Sequence, residues 1–117
     1  MIHVYGIPNC ISVRKSLAFF EAKKAEVTFH NFKKEALSPA DLDAWLAVIP
    51  DSVLLNRRGQ TWRKVSPEVR DAAEANPQAL RALLLDMPGL IKRPVVVFPN
   101  GQITVGADEA AWEANLS

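Results

Sequence analysis

The stretch that decides the fold runs from residue 2 to residue 32, IHVYGIPNCISVRKSLAFFEAKKAEVTFHNF. Ile2 to Tyr5 reads as a strand, closed by Gly6 and Pro8, both poor in strand interiors. A helix follows from about Cys10 to Lys24. Cys10, Val13, Leu17 and Phe20 recur there at spacings of three, four and three, the period of one helical face. Arg14, Lys15, Glu21 and Lys23 leave that face. Val27 to Phe32 is rich in β-branched and aromatic residues and reads as a second strand. Strand, helix and strand in about thirty residues make a βαβ unit, so the two strands should be parallel.

Outward from this unit, the middle of the chain reads as helical. Ser38-Pro39, Ser66-Pro67 and Asn76-Pro77 each set a capping side chain before a proline that suits the first helical position. Leu42, Trp45, Leu46 and Ile49 form an apolar stripe ended by Pro50; Leu80, Leu83, Leu84 and Met87 form another, ended by Pro88-Gly89. Beyond Pro94 the period changes. Val95 to Phe98 is a continuous apolar run, as in a buried strand. Asn100-Gly101 is a two-residue hairpin signal, Gln102 to Val105 returns as the partner strand, and Asp108 can cap a last helix carrying Trp112 and Leu116. The order is β-α-β, a helical block over about residues 38–92, then β-β-α, in a single domain spanning residues 1–117.

Composition fits such a domain. With 117 residues, 49% hydrophobic and 23% charged, the chain can bury a core without staples. A formal charge of +1 gives no global attraction for nucleic acid or membrane, so neither is expected as a partner. There is one cysteine, which excludes an internal disulfide. No secretory signal pattern or membrane-length apolar run is present, and a reducing, cytoplasmic home is expected.

Three places carry candidate chemistry. Cys10 stands where a loop turns into a helix, beside unpaired N–H groups and the positive end of the helix dipole, which favour a thiolate. Arg14 and Lys15 add charge on a neighbouring face. The other role open to Cys10 is packing, since free cysteine is often buried and Cys10 begins the apolar stripe. A lower thiol pKa speeds attack little, because nucleophilicity falls with basicity, but it makes the sulfur a better leaving group in a mixed-disulfide cycle. Ile91-Lys92-Arg93-Pro94 places a planar fork of donors before a strand, in either a binding or a solvated role. Asn56 to Lys64 gathers Arg57, Arg58, Arg63 and Lys64 around Trp62, a basic loop that is either an anion patch or simply hydrated. His3 and His30 lack metal-ligand spacing and read as structural or surface residues, and no metal site is expected.

Tyr5-Gly6-Ile7-Pro8-Asn9-Cys10, Leu54 to Gly59, Thr61-Trp62-Arg63-Lys64 and Ile91 to Pro94, in this order, resemble the arsenate reductase-like (ArsC/Spx) family, and within it the branch called YffB. The resemblance covers nearly the whole chain. It implies an α/β, thioredoxin-like fold with a mixed four-stranded sheet, Cys10 as nucleophile, and Arg93 before a cis Pro94 facing it. Three features depart from the family pattern. Arsenate reductases proper carry a histidine where Gly6 stands, and two further arginines where Asn56 and Gly106 stand, for which Arg57 or Arg58 could substitute. Spx regulators carry a second cysteine where Val13 stands.

The resemblance therefore implies a glutathione-dependent thiol reductase. Cys10 and Arg93 are its expected catalytic residues. Asn9, Arg14, Asn56, Arg57, Arg58, Arg63 and Pro94 are the expected contacts to substrate or glutathione. No bound cofactor is expected; glutathione is the co-substrate, a small oxidised thiol or oxyanion the substrate, glutaredoxin a further partner, and the chain a monomer. A non-catalytic adaptor of the Spx type and a true arsenate reductase are the alternatives.

Overall fold

Residues 2–31 fold as the quoted stretch requires. In a computed structural model, which describes residues 1–116, β1 (Ile2–Gly6) and β2 (Val27–Asn31) are parallel, with Ile2 beside Val27, Val4 beside Phe29 and Gly6 beside Asn31. Helix α1 (Ile11–Ala22) connects them. Strand β3 (Val95–Val97) lies antiparallel on the other side of β1, and β4 (Ile103–Val105) antiparallel beyond it, giving the order β2-β1-β3-β4. This mixed four-stranded sheet with flanking helices is a thioredoxin-like α/β fold.

Side chains alternate along a strand, so Ile2, Val4, Val96 and Phe98 share one face. They pack with Phe20 of α1 and Trp112 of α7 (Glu109–Ala114) in the main core cluster. The Phe20 ring lies edge-on to Phe98, with centroids 5.9 Å apart, and 5.7 Å from Trp112. Asp108 starts α7 by accepting a hydrogen bond from the Ala111 N–H.

Details differ from the periodicity. Cys10 is the N-cap of α1, and the fully buried stripe is Val13, Ser16 and Phe20, with Leu17 half-buried. A serine belongs on this stripe because its hydroxyl donates to the Val13 carbonyl at 2.6 Å and so enters the core satisfied. The β3–β4 connection is not a two-residue turn. Phe98 N–H donates to Gln102 O, Gly101 N–H donates to Phe98 O, and Gly101 has φ +87°. This is a three-residue loop, Pro99 to Gly101, in which glycine supplies the left-handed position.

Contacts divide the described chain into two units, one formed by the residues before Ala36 and after Ile91, the other by Ala36–Ile91. The second unit holds α2 (Pro39–Val48), α3 (Asp51–Leu54), α4 (Gln60–Lys64), α5 (Pro67–Ala75), α6 (Pro77–Asp86) and a 3₁₀ turn at Pro88–Leu90. Ser38, Ser66 and Asn76 cap α2, α5 and α6 with their side-chain oxygens, each before a proline. Leu42, Trp45, Leu80 and Leu84 are buried, as their stripes require. The stretch expected as a basic loop is only partly one. Gln60 to Lys64 forms a helical turn because Trp62 and Val65 are buried and draw the segment inward. A bridge between Leu55 and Ile91, with Asn56 N–H donating to Leu90 O at 2.8 Å, ties its start to the unit's end. No helix among the described residues is long and apolar enough to cross a membrane.

The end of α1 gives a testable point. Lys24 N–H donates to Glu21 O and Ala25 N–H to Phe20 O, with Lys24 at φ +57°, a Schellman arrangement that glycine favours. A left-handed L-residue costs about 1–2 kcal/mol, and glycine's unfolded-state freedom returns about 0.4–1 of that. Lys24→Gly should therefore stabilise the protein by about 0.5–1 kcal/mol in urea unfolding; a loss of stability would show that the lysine side chain itself stabilises the helix end.

Candidate active site

β1 ends at Gly6, and the chain turns back through Ile7-Pro8-Asn9 before α1 begins. Two hydrogen bonds shape this loop. Cys10 N–H donates to Ile7 O at 3.4 Å, and Arg14 Nε donates to Pro8 O at 3.0 Å. Arg14 thus braces the loop backbone. Asn9 is exposed at its tip, and Cys10 is half-buried at the cap.

The Cys10 sulfur is the focus of the site. Partial burial pushes its pKa up. The nearby backbone N–H of Val13, the Arg93 side chain and the N–H of Ser12 favour the thiolate, and with the Arg93 charge they outweigh burial, leaving the thiol below its ordinary value. The helix therefore acts through specific N–H groups of its first turn. Among these contributions Arg93 is the one cation, while Arg14 is turned to Pro8 O.

The residues just after Arg93 hold it in place. The Arg93–Pro94 bond is cis, Pro94 is buried, and its carbonyl accepts the Gly106 N–H at 2.9 Å. β3 starts at the next residue, with Val95 paired to Tyr5 on one side and Val105 on the other. Cys10, Arg93 and Pro94, distant in sequence, thus share one end of the sheet.

Asn56, Arg57, Arg58 and Arg63 lie in the second unit, where Arg57 and Asn56 have partners within that unit. Arg57 makes a two-point contact with Glu74, at 2.6 and 2.9 Å, which raises the arginine pKa and lowers that of the carboxylate. Asn56 Oδ1 accepts the Arg58 N–H at 3.1 Å and shapes the turn into α4. Arg58 and Arg63 are exposed. A second constellation is invisible to spacing. His30 Nδ1 lies 2.7 Å from Glu35 Oε1, His30 Nε2 lies 2.8 Å from His3 Nδ1, and the Tyr5 and His30 rings stack at 4.3 Å. Only the parallel register, which sets Tyr5 beside His30, shows these rings to be neighbours. No group of three or more metal-ligating side chains forms a site among the described residues.

This geometry, a lone N-cap cysteine facing an arginine that precedes a cis proline, is accompanied by similarity over nearly the whole chain. The family model described as "ArsC family" matches residues 5–115. The chain belongs to the ArsC family. It is 30% identical over 114 residues to an uncharacterised Haemophilus influenzae protein, covering 97% of each chain. The structure called YFFB protein superposes with a TM-score of 0.92 at 29% identity, over the full length of both chains. An arsenate reductase (ArsC) related protein from Brucella melitensis is 37% identical, with a TM-score of 0.72, covering 97% of this chain and 92% of the other. As an ArsC-family member the chain is arsenate reductase-related, and it has the family's mixed four-stranded sheet.

The electrostatics make a two-sided prediction. Alkylation by iodoacetamide across a pH series should inflect below about 8.5, the ordinary thiol value. Arg93→Ala should move the inflection up, and Arg93→Lys should recover only part of the shift, because a point charge lacks the planar fork. Stability is linked with a definite sign. The unfolded chain binds the Cys10 proton more tightly, so this contribution is full above the unfolded pKa and is lost as pH falls through the lower folded value. The stability of wild type relative to Cys10→Ser, measured by urea unfolding, should rise with pH across that window. A difference independent of pH would show that the folded state does not favour the thiolate.

Proposed function

We propose that this ArsC-family protein is a glutathione-dependent thiol reductase acting through Cys10. What supports this reading is a free, half-buried thiol at the N-cap of α1 whose pKa is lowered by the neighbouring Val13 N–H, the Arg93 side chain and the Ser12 N–H. In the first step the Cys10 thiolate attacks one sulfur of a disulfide formed between a small thiol and glutathione. The substrate S–S bond breaks, the small thiol leaves as a thiolate and takes a proton from water, and Cys10 is left joined to glutathione. In the second step a glutathione thiolate attacks the glutathionyl sulfur, releasing glutathione disulfide and restoring the Cys10 thiolate. In sum one glutathione thiolate is consumed and enters the new disulfide, the glutathionyl half of the substrate keeps its oxidation level throughout, and the small thiol is released reduced.

The site suits the second step in particular. There Cys10 is the leaving group, and a thiol of low pKa leaves faster. Because the chain has one cysteine, the resolving thiol comes from outside, as glutathione or a glutaredoxin. Arg93 can hold a glutathione carboxylate through paired N–H donors.

Arsenate is a poor candidate substrate on the same geometry. A Cβ at Gly6 would lie 2.6 Å from Val13 Cγ2, so the histidine of arsenate reductases has no room there. At Gly106 the backbone has φ +84°, so an arginine there would be strained. Losing one charge-assisted contact costs about 1.5–3 kcal/mol, roughly ten- to a hundredfold in affinity.

Intact-mass measurement after treatment with glutathione disulfide should show one glutathionyl group on wild type and none on Cys10→Ser. Turnover of a small glutathione mixed disulfide should exceed that of arsenate. An unmodified wild type would remove the thiol mechanism and favour an adaptor role, and robust arsenate turnover would overturn the substrate assignment.

A further inference from the structure

Gly6 has no positive φ to explain it. It is ordinary strand backbone, paired with Asn31, and its carbonyl accepts the Phe32 N–H at 2.8 Å. Space, not conformation, makes glycine necessary. A Cβ on Gly6 would stand 2.6 Å from Val13 Cγ2 and 3.7 Å from Val13 Cβ and Cγ1, and the first of these is a separation that real Cβ atoms do not adopt. Neither partner can yield easily. Gly6 is held in the sheet through β2, and Val13 is completely buried, β-branched and stiff about χ1. The Val13 carbonyl is further held by the buried Ser16 hydroxyl.

This contact fixes how closely the first turn of α1 approaches β1. The approach matters because the groups that meet at the Cys10 sulfur come from two elements. The N–H groups of Ser12 and Val13 belong to α1, whereas Arg93 is carried by the segment entering β3. β3 is locked to β1 through the pairing of Tyr5 with Val95. The distance from the helix N–H groups to Arg93 is therefore set where α1 rests on the sheet, at Gly6 and Val13.

We propose that Gly6 and Val13 are a paired spacer that positions the start of α1 over the sheet and thereby sets the reactivity of Cys10. This deepens the reading of Cys10 as a working thiolate and rests on it. Both are positioning residues in this role. Gly6 acts by lacking a side chain, and Val13 acts through a side chain that touches no substrate while its own N–H reaches the sulfur. Any side chain at position 6 lifts the first turn, carries Cys10 and its neighbouring N–H groups with it, and draws the sulfur away from Arg93.

The test is the pH profile of Cys10 alkylation in Gly6→Ala, Val13→Ala and the double variant, with folding followed by circular dichroism. Gly6→Ala should raise the inflection by about one unit, a roughly tenfold loss of thiolate well below the pKa. Combining it with Val13→Ala should move the inflection back toward wild type, because the new methyl occupies the space the valine branches leave. A merely destabilising pair of cavities and clashes would not restore a titration. A folded Gly6→Ala with the wild-type inflection overturns the proposal, as does a double variant that titrates like Gly6→Ala. If Gly6→Ala does not fold, Val13→Ala alone decides. Its first turn has lost its seat, so a raised inflection supports the spacer and an unchanged one overturns it. The glutathione adduct on wild type is a separate readout. Its absence would defeat the thiol reductase reading and leave the difference between variants and wild type standing, while its presence with no such difference would defeat the spacer alone.

Discussion

The seating of α1 on the sheet decides where Cys10 stands. Phe20 near the C-terminal end of α1 is held by Val4, Val96, Phe98 and Trp112, and Val13 near its start is held against Gly6. Two anchors seven residues apart, about two helical turns, fix both the direction and the height of the helix. Burying side chains of this size contributes about 1.5–3 kcal/mol each, several times what an exposed ion pair adds. The electrostatics of the cysteine are consequently supported by apolar packing. Hydrogen bonds to a sulfur weaken steeply with misalignment, and it is the core that keeps the donors aimed.

Much of this frame is legible in the sequence because its signals are local. Alternation in Ile2 to Tyr5, the 3.6 period of α1 and the Ser-Pro and Asn-Pro starts of α2, α5 and α6 each depend on residues within a few positions of one another. The features that escape depend on partners far away in the chain or on chemistry that periodicity does not weigh. Ser16 occupies a core position because its hydroxyl folds back on Val13 O, an option an apolar-only stripe cannot register. Asn100-Gly101 marks a turn correctly, but the loop holds one residue more because the Phe98 N–H reaches Gln102 O and brings Pro99 into the connection. Gln60 to Lys64 reads as a polar loop, yet Trp62 finds a buried environment, which outweighs the exposed cations in so short a segment.

The candidate site divides in the same way. Cys10 stands out because it closes a loop and opens a helix, and Arg93 because it precedes a proline and an apolar strand. Their meeting depends on β1 and β3 being neighbours, which residues 2–32 alone do not state. Charge is the poorest guide. Arg57 carries the same formal charge as Arg93, yet Glu74, seventeen residues along, takes its guanidinium in a two-point contact. Arg14, one turn from the sulfur, is directed to a carbonyl instead. A count of nearby cations overstates what reaches an anion, because exposed arginines find local acceptors first.

In a near-neutral chain with one cysteine, the thiol is shifted toward its thiolate by two backbone N–H groups and one arginine. That arrangement has a chemical consequence. Backbone donors at a helix start are compact and close to a single atom, which suits a sulfur in the proposed role of attacking and leaving group. A tetrahedral oxyanion spreads its charge over several oxygens and calls for donors arriving from several directions, which requires side chains. At Gly6 this fold has no room for one because Val13 fills the space, and at Gly106 the left-handed backbone, φ +84°, opposes a side chain. The same valine that seats the helix under Cys10 thereby removes one of the positions from which an oxyanion would be held. Support for the thiolate and loss of oxyanion contacts arise from one packing decision, so a change that restored the second would disturb the first.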